Sequence, residues 1–460
     1  MGKGFAGDRI TDVAVIGSGG SGLSAALASA CSGARTLVLE VAPGIGGSTL
    51  FSGGLAWFPN NHLMTRFGIA DSCQDVLDYM QACMPERKDR KRWEAFVDAA
   101  PEAVRFLEDK TPLRFSMTPA PDSFAEKKGG RDRGRNLEPC PLRPAVLGEW
   151  QNQLITSPHP GHPVTLGEAF RFVMKSIGFW SKLRQTAGLG PKVLWRRLTG
   201  RQTMGAALIT GLLKGCRDAG VDVLCNAQGK KLIIRNGSVI GLQALIGGQN
   251  VNIHAKRGVV LATGGFEWNP ELVYQYLPGP LEYPLTTPFA RGDGLIMARD
   301  AGAELALMNE VILWTEAMTP NRASYQGKRV GILVNPIINN PHAIMVNRQG
   351  RRFVNEPSHN APQAYHEWNE QTQSHPNLPA WSVFDTQFRE AFSEESLGLK
   401  PGKPDPEWLI KDESLAGLAQ KAGIDPEGLK QTVERFNRFC RQGKDLDFNR
   451  GEYCYDWHFV

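Results

Sequence analysis

The chain has 460 residues, with 52 lysines and arginines against 47 aspartates and glutamates and a net charge of +5. So even a balance does not by itself imply a nucleic-acid partner, and the length suits two domains with room for a buried core. The 8 cysteines form no CxxC pair and no cysteine-histidine cluster at zinc spacing, so they read as reduced thiols in a cytoplasmic protein with no metal site. The start, MGKGFAGDRI, carries no apolar h-region, and no run of 18 apolar residues follows anywhere, which argues against secretion and membrane spanning.

An apolar run at residues 13–16 reads as a buried parallel strand, and Gly17-Ser18-Gly19-Gly20-Ser21-Gly22 turns it into a small-residue helix over 23–31. Gly17 makes the turn, Gly19 lets backbone N–H groups approach a pyrophosphate, and Gly22 lets helix pack on strand. A second strand, 36–39, ends at Glu40, an acid placed to take both hydroxyls of an adenosine ribose. Strand, glycine turn, helix and acid together predict a dinucleotide site. Gly46-Gly47-Ser48-Thr49 and Ser52-Gly53-Gly54 form a second cluster, where a chain can lie flat against a planar ring; flavin has use for it and nicotinamide does not.

Residues 72–110 read as helical, with the charged cluster 86–92 on a solvated face. Residues 111–163 turn rich in proline, glycine and charge, the composition of a long excursion over the surface or a lid. In 164–201, Phe170, Val173, Met174, Ile177 and Trp180 fall at helical spacing among eight lysines and arginines. Two readings stand: a peripheral contact with an anionic membrane at its cytoplasmic face, and a basic helix packed on its own domain or on a dimer partner. A helix over 205–219 follows, then short strands at 221–225, 231–235, 239–245 and 251–255, with Asn236-Gly237 as a hairpin turn. The run 258–265, GVVLATGG, returns the chain to the first sheet and ends in Thr263-Gly264. Beyond it, Gly292-Asp293-Gly294 precedes a helix at 295–301 with Asp293 as its cap. Residues 344–346 and 353–354 are expected to pair across the turn at Arg348-Gln349-Gly350, 379–385 to form a strand, and 407–442 two helices starting near Ser414 and Asp425.

The order GSGGSG, Glu40, GGSTLFSGG and ATGGF resembles the flavoproteins of the fumarate reductase and succinate dehydrogenase type, most closely the 3-ketosteroid delta-1-dehydrogenase branch. Residues 121–135 with Glu138-Pro139, Gly292-Asp293-Gly294, GRRFVNE at 350–356 and Pro379-Ala380-Trp381 extend it over nearly the whole chain. The resemblance implies an α/β fold. A Rossmann-like FAD-binding domain with an antiparallel β meander would span 8–285, with the surface excursion at 111–201, and an inserted α+β substrate (capping) domain would span 286–455. It implies FAD held by Gly17 through Gly22, Glu40, Gly47, Ser48, Thr49, Ser52, Gly53, Gly54, Thr263, Gly264 and Asp293. A closing segment on the order of 100 residues, domain-sized, is expected to lie outside this chain.

The reaction implied is hydride transfer at a CH–CH bond, with a base taking the proton beside a carbonyl and a donor polarising its oxygen; reversed, it reduces an activated alkene. The substrate would be a hydrophobic, steroid-like ketone, and the electron acceptor is unidentified. Where the steroid enzymes carry phenols, this chain has Ser123, Phe124 and Asn360, so His359, Tyr365 and Arg291 become the candidates for proton handling and anion binding. Arg351 and Arg352 read as structural. Three alternatives remain at this level: a silent flavin-fold protein, a reductase of a small unsaturated acid, and a membrane-surface flavoprotein passing electrons to quinone.

Overall fold

The computed structural model describes residues 8–456 apart from 88, 157–162, 175–178, 278, 280, 282, 311–315, 318–323, 326, 330–331, 334–337, 360, 392–398 and 400–401. Asn360 therefore lies outside the described residues. In chain order come β1 (Arg9–Ile16), α1 (Gly20–Cys31), β2 (Thr36–Leu39), β3 (Ala56–Trp57), α2 (His62–Arg66), α3 (Cys73–Cys83) and α4 (Arg90–Lys110). β4 (Phe115–Met117), β5 (Asn136–Pro139), α5 (Leu166–Met174), α6 (Phe179–Leu198) and α7 (Met204–Asp218) follow. Then come β6 (Asp222–Leu224), β7 (Ala227–Arg235), β8 (Ser238–Ile246), β9 (Gln249–Leu261), α8 (Pro270–Tyr276) and α9 (Asp293–Asp300).

Six strands form the main sheet in the order β6-β2-β1-β9-β8-β7. β6, β2, β1 and β9 are parallel, and β8 and β7 continue antiparallel. The strand expected at 251–255 and the start of the run 258–265 are one strand, β9, which ends at Leu261. The polar break Lys256-Arg257-Gly258 looks like a turn in the sequence, but a register shift opposite Thr11 and Val13 of β1 absorbs it. The expected strand 221–225 also belongs elsewhere: β6 pairs with β2 on the parallel side. Between β7 and β8, Asn236 and Gly237 both take positive φ, 49° and 75°, the geometry of a two-residue hairpin.

Both faces of the parallel strands are covered. Val15 and Val38 pack with Leu23 and Leu27 of α1, Val104 of α4 and Ile209 and Leu212 of α7, while Ala14, Ile16, Leu37 and Leu39 meet Leu242, Ile253 and Met297. This explains why the strand sequences run apolar without alternation. The excursion expected over 111–163 is in large part not on the surface. Leu113, Phe115, Leu137 and Leu147 sit in the same core as Val15, and β3, β5 and β4 form a second, three-stranded sheet. Its charges mislead because they are paired inside: Arg135, fully buried, bonds both oxygens of Asp71 at 2.9 and 2.6 Å and Asp122 Oδ2 at 2.8 Å.

Further on, the strand Ala343–Val346 pairs with Trp381–Phe384, not with residues 353–354 as the turn at 348–350 suggests. Arg352 draws that segment away. It forks onto Glu356 at 2.8 Å through both Nε and Nη2, reaches Asp445 at 3.0 Å, and stacks on the rings of Phe436 and Phe448. Arg450 joins Glu356 at 3.2 Å, and the two cations hold this buried carboxyl below its usual range against the cost of burial. Ser414 and Asp425 cap the helices Leu415–Ala422 and Pro426–Gln442, as expected. Asp293 does not cap α9. The helix begins at Asp293 behind a left-handed Gly292, and the aspartate accepts from Gln228 Nε2 of β7 at 3.0 Å.

Candidate active site

β1 ends against β9, and the turn that leaves it is sterically determined. A Cβ on Gly17, whose φ is +106°, would lie 2.2 Å from Ala262 O, and one on Gly22 would lie 1.9 Å from Gly17 O. Gly19 differs: among the described residues beyond its chain neighbours and its own helix, only Thr49 Oγ1 comes within 4 Å of its Cβ position, at 3.6 Å. α1 then starts with no side-chain cap and no acid in its first turn, so it presents amide donors and the positive end of its dipole. Gly20 N donates to Thr49 Oγ1 at 3.0 Å. Ser18, wholly buried, donates from N and Oγ to Glu40 Oε2 at 2.8 and 2.6 Å, and Ala42 N donates to Oε1 at 2.8 Å. Glu40 is thus pinned at the end of β2, and Ala42 N, the one donor to Oε1 among the described residues, leaves acceptor capacity there for a ribose hydroxyl.

The second glycine cluster folds back onto the first. The Cβ position of Gly47 lies 3.3 Å from Gly19 Cα, and Ser48 Oγ accepts from Thr287 N at 3.2 Å. Thr263 Oγ1 accepts from Gly294 N at 3.1 Å, which ties the end of β9 to the start of α9, while Gly264 is exposed with open space on its Cβ side. These contacts bring residues 17–22, 40, 47–49, 263–264 and 293–294 together as one candidate cofactor cradle. Two of the expected cofactor residues have a packing reason as well. Gly54, at φ +69°, backs onto Met204 and Gly205 at the head of α7, and Gly53 abuts Leu166. Ser52 serves the local turn: its Oγ donates to Thr49 O at 2.8 Å and accepts from Gly54 N at 3.1 Å. Ser21 is exposed.

β3 leads from Gly54 to a second centre. Trp57 Nε1 donates to Asp122 at 2.8 Å, and Phe124, two residues on, gives its backbone N–H to Tyr79 Oη at 3.3 Å. The Arg135 guanidinium lies 5.7 Å from the Trp57 ring and 5.6 Å from the Tyr79 ring, so one buried cation braces this wall. Against it stands His359. Its ring meets Phe124 edge-on at 5.9 Å and Tyr455 at 5.7 Å, and Nδ1 lies 3.4 Å from Tyr455 Oη. Burial pushes the His359 imidazole below its ordinary value of 6.5 and the Tyr455 phenol up to about 12, so both are neutral at pH 7.

The other two candidates lie elsewhere. The Tyr365 hydroxyl meets Met345 Sδ at 2.9 Å and its ring packs on Phe353 at 5.5 Å. Arg291 is exposed; its carbonyl accepts from Asn269, and its neighbour Gly292 bonds Gly265 O. Tyr455 was missed because nothing local marks it; the crowd of aromatics over 453–459 is its only signal. Asp71 gives no signal at all.

A family model described as an FAD binding domain matches residues 12–458. The chain belongs to that family. It is 33% identical to the 3-oxosteroid 1-dehydrogenase of Mycobacterium tuberculosis over 97% of this chain and 82% of that protein. It is 32% identical to the 4-oxocyclohexanecarboxylate 2-dehydrogenase of Sinomonas cyclohexanicum over 97% and 76%. The crystal structure of the 3-ketosteroid delta1-dehydrogenase of Sterolibacterium denitrificans, in complex with 1,4-androstadiene-3,17-dione, superposes with a TM-score of 0.88 at 30% identity, covering 98% of this chain and 83% of that one.

The cofactor of this FAD binding domain fits the cradle: the positive end of α1, whose N-cap Gly19 brings no side chain, for the phosphates, the Oε1 of Glu40 for the ribose, and the open space over Gly264 for the ring. Glu40→Gln places an amide NH2 among donors from Ser18 or Ala42. FAD affinity should fall by about 1 to 3 kcal/mol, the scale of a charge-assisted hydrogen bond, when apoprotein is titrated with FAD. An unchanged dissociation constant would move the ribose contact elsewhere.

Proposed function

We propose that this FAD-dependent CH–CH oxidoreductase introduces a double bond beside the carbonyl of a hydrophobic cyclic ketone, with His359 as the base. The observation that carries the reading is near-complete alignment with dehydrogenases whose named substrates share a ring ketone: a 3-oxosteroid and 4-oxocyclohexanecarboxylate. FAD, when bound, supplies the hydride acceptor. The rest falls to the protein. With Nδ1–H donating to Tyr455 Oη, His359 Nε2 carries the lone pair that takes the proton alpha to the carbonyl. The imidazole is neutral at physiological pH because burial disfavours its cation, so it is ready to accept. Phe124 shields it from water, and Tyr455 fixes its tautomer. We take residues 8–285 as the cofactor half and 286–455 as the substrate half, with the substrate between them.

Two outcomes test this. Anaerobic mixing of the holoprotein with a 3-oxosteroid or with 4-oxocyclohexanecarboxylate should bleach the flavin absorbance in a substrate-dependent way; failure with every ring ketone would overturn the reading. His359→Phe should slow that bleaching by about 10²- to 10⁴-fold, the usual yield of general base catalysis. The pH profile carries a sign. A depressed histidine stays deprotonated below 6.5, so kcat/KM should hold steady from neutrality down past that value and fall only as His359 itself takes a proton. A limb at or above 6.5 would assign the base to another group. The small-acid alternative would need a cation near the reacting carbon, and among the described residues nothing links the exposed Arg291 to His359.

A further inference from the structure

The last two turns of α6 are inside out. Arg196, a charged residue, is buried and paired: its guanidinium bonds Glu168 at 2.9 Å and the Pro163 carbonyl at 3.0 Å. The apolar residues face outward instead, with Leu194 58%, Trp195 51% and Leu198 78% exposed. With the exposed Pro191 they follow at i, i+3, i+4 and i+7, which puts them on one side of the helix as a stripe and not as scattered single residues. Cations rim it. Lys192 and Arg197 are exposed, Arg201 holds its guanidinium 4.5 Å from the Trp195 ring, and Arg143 reaches across to Thr199 O. From residue 169 to residue 217 the sequence has ten lysines and arginines and no aspartate or glutamate.

We propose that this end of α6 docks on the surface of an anionic phospholipid bilayer. An exposed tryptophan flanked by leucines suits the boundary between headgroups and acyl chains, and the cations around it suit anionic headgroups. The uniform charge argues against a second copy as the occupant, because a two-fold contact through this face would set basic residues against basic residues. A nucleic acid would use the cations and leave the apolar stripe in water. The inference stands on the helix alone and does not depend on the catalytic reading, although a hydrophobic ketone would dissolve in the same bilayer.

The test is sedimentation of the 460-residue holoprotein with vesicles of phosphatidylcholine alone and of phosphatidylcholine with phosphatidylglycerol at roughly 3:1. Binding should require phosphatidylglycerol and weaken with salt. Leu194→Ser/Trp195→Ser/Leu198→Ser should weaken it by roughly tenfold or more, and Lys192→Glu/Arg197→Glu by roughly fivefold for each cation removed. FAD content and turnover should be unchanged in both variants, which separates a lost surface from a lost fold. The proposal is overturned by equal sedimentation of wild type and both variants, or by no lipid binding in the wild type. It is equally overturned if the wild type is a dimer that the serine variant breaks, or if it binds duplex DNA and no vesicle.

Discussion

Arg135→Leu should leave little folded protein. The substitution removes the cation between two buried carboxylates, Asp71 at 2% and Asp122 at 1% side-chain exposure, and it withdraws the brace beneath Trp57 and Tyr79. Breaking one side of a buried pair costs about 3 to 5 kcal/mol, because the charge left behind has neither water nor partner. A whole domain is stable by only about 5 to 15 kcal/mol, so urea unfolding should show most of the stability gone. Arg135→Lys should restore only part of it, since one ammonium cannot reproduce a fork that reaches three oxygens. The variant should also acquire a distinct pH dependence. Burial already pushes the Asp122 carboxyl above 3.8, with Arg135 opposing. Without the arginine it rises further, so the native state binds more protons than the unfolded chain. Stability then falls as pH rises through the folded-state value, and the leucine variant should be least unstable in mild acid. A variant that unfolds at the wild-type urea concentration would show that the buried cation is dispensable.

Gly19 and Gly22 stand three residues apart and should fail in opposite ways. At Gly22 even a methyl group would sit 1.9 Å from Gly17 O, a backbone atom that cannot move without breaking the turn between β1 and α1. Gly22→Val should therefore unseat α1 from the sheet and yield insoluble protein. At Gly19 the new side chain meets only Thr49 Oγ1 at van der Waals distance, so Gly19→Val should fold with wild-type circular dichroism. Its side chain fills the space into which the α1 amides point, where the pyrophosphate belongs, and the protein should purify without the flavin spectrum. Full flavin occupancy in Gly19→Val would remove the phosphates from this turn.

The cofactor cradle was legible in the sequence because its requirements are local: a glycine forced by a neighbour's carbonyl, and an acid at a strand end. The second centre was legible only at His359, because its groups meet only in three dimensions. Arg135 and Asp71 are 64 residues apart, and His359 and Tyr455 are 96 apart. The same distance effect reversed the reading of 111–163, where charge and proline signal solvent until the partners are known. Residues 353–354 misled for a related reason. Their turn chemistry favours a hairpin, but the buried ion network of Arg352 and Glu356 outweighs it and gives the pairing to Trp381–Phe384. Arg352 is structural, as its place in a turn suggests, because its guanidinium is spent on Glu356 and Asp445.

The strand β1 leaves a ribosome well before its neighbour β9, which is encoded far behind it: Ile16 pairs with Leu261. At about 5 to 20 residues per second, synthesis leaves that flank of β1 open for roughly 10 to 50 s, an unpaired apolar edge able to recruit another nascent chain. The meander postpones closure, because β9 pairs with β8 through its first half and with β1 along most of its length. A chain released before residue 262 should therefore aggregate, whatever its glycine turn could hold.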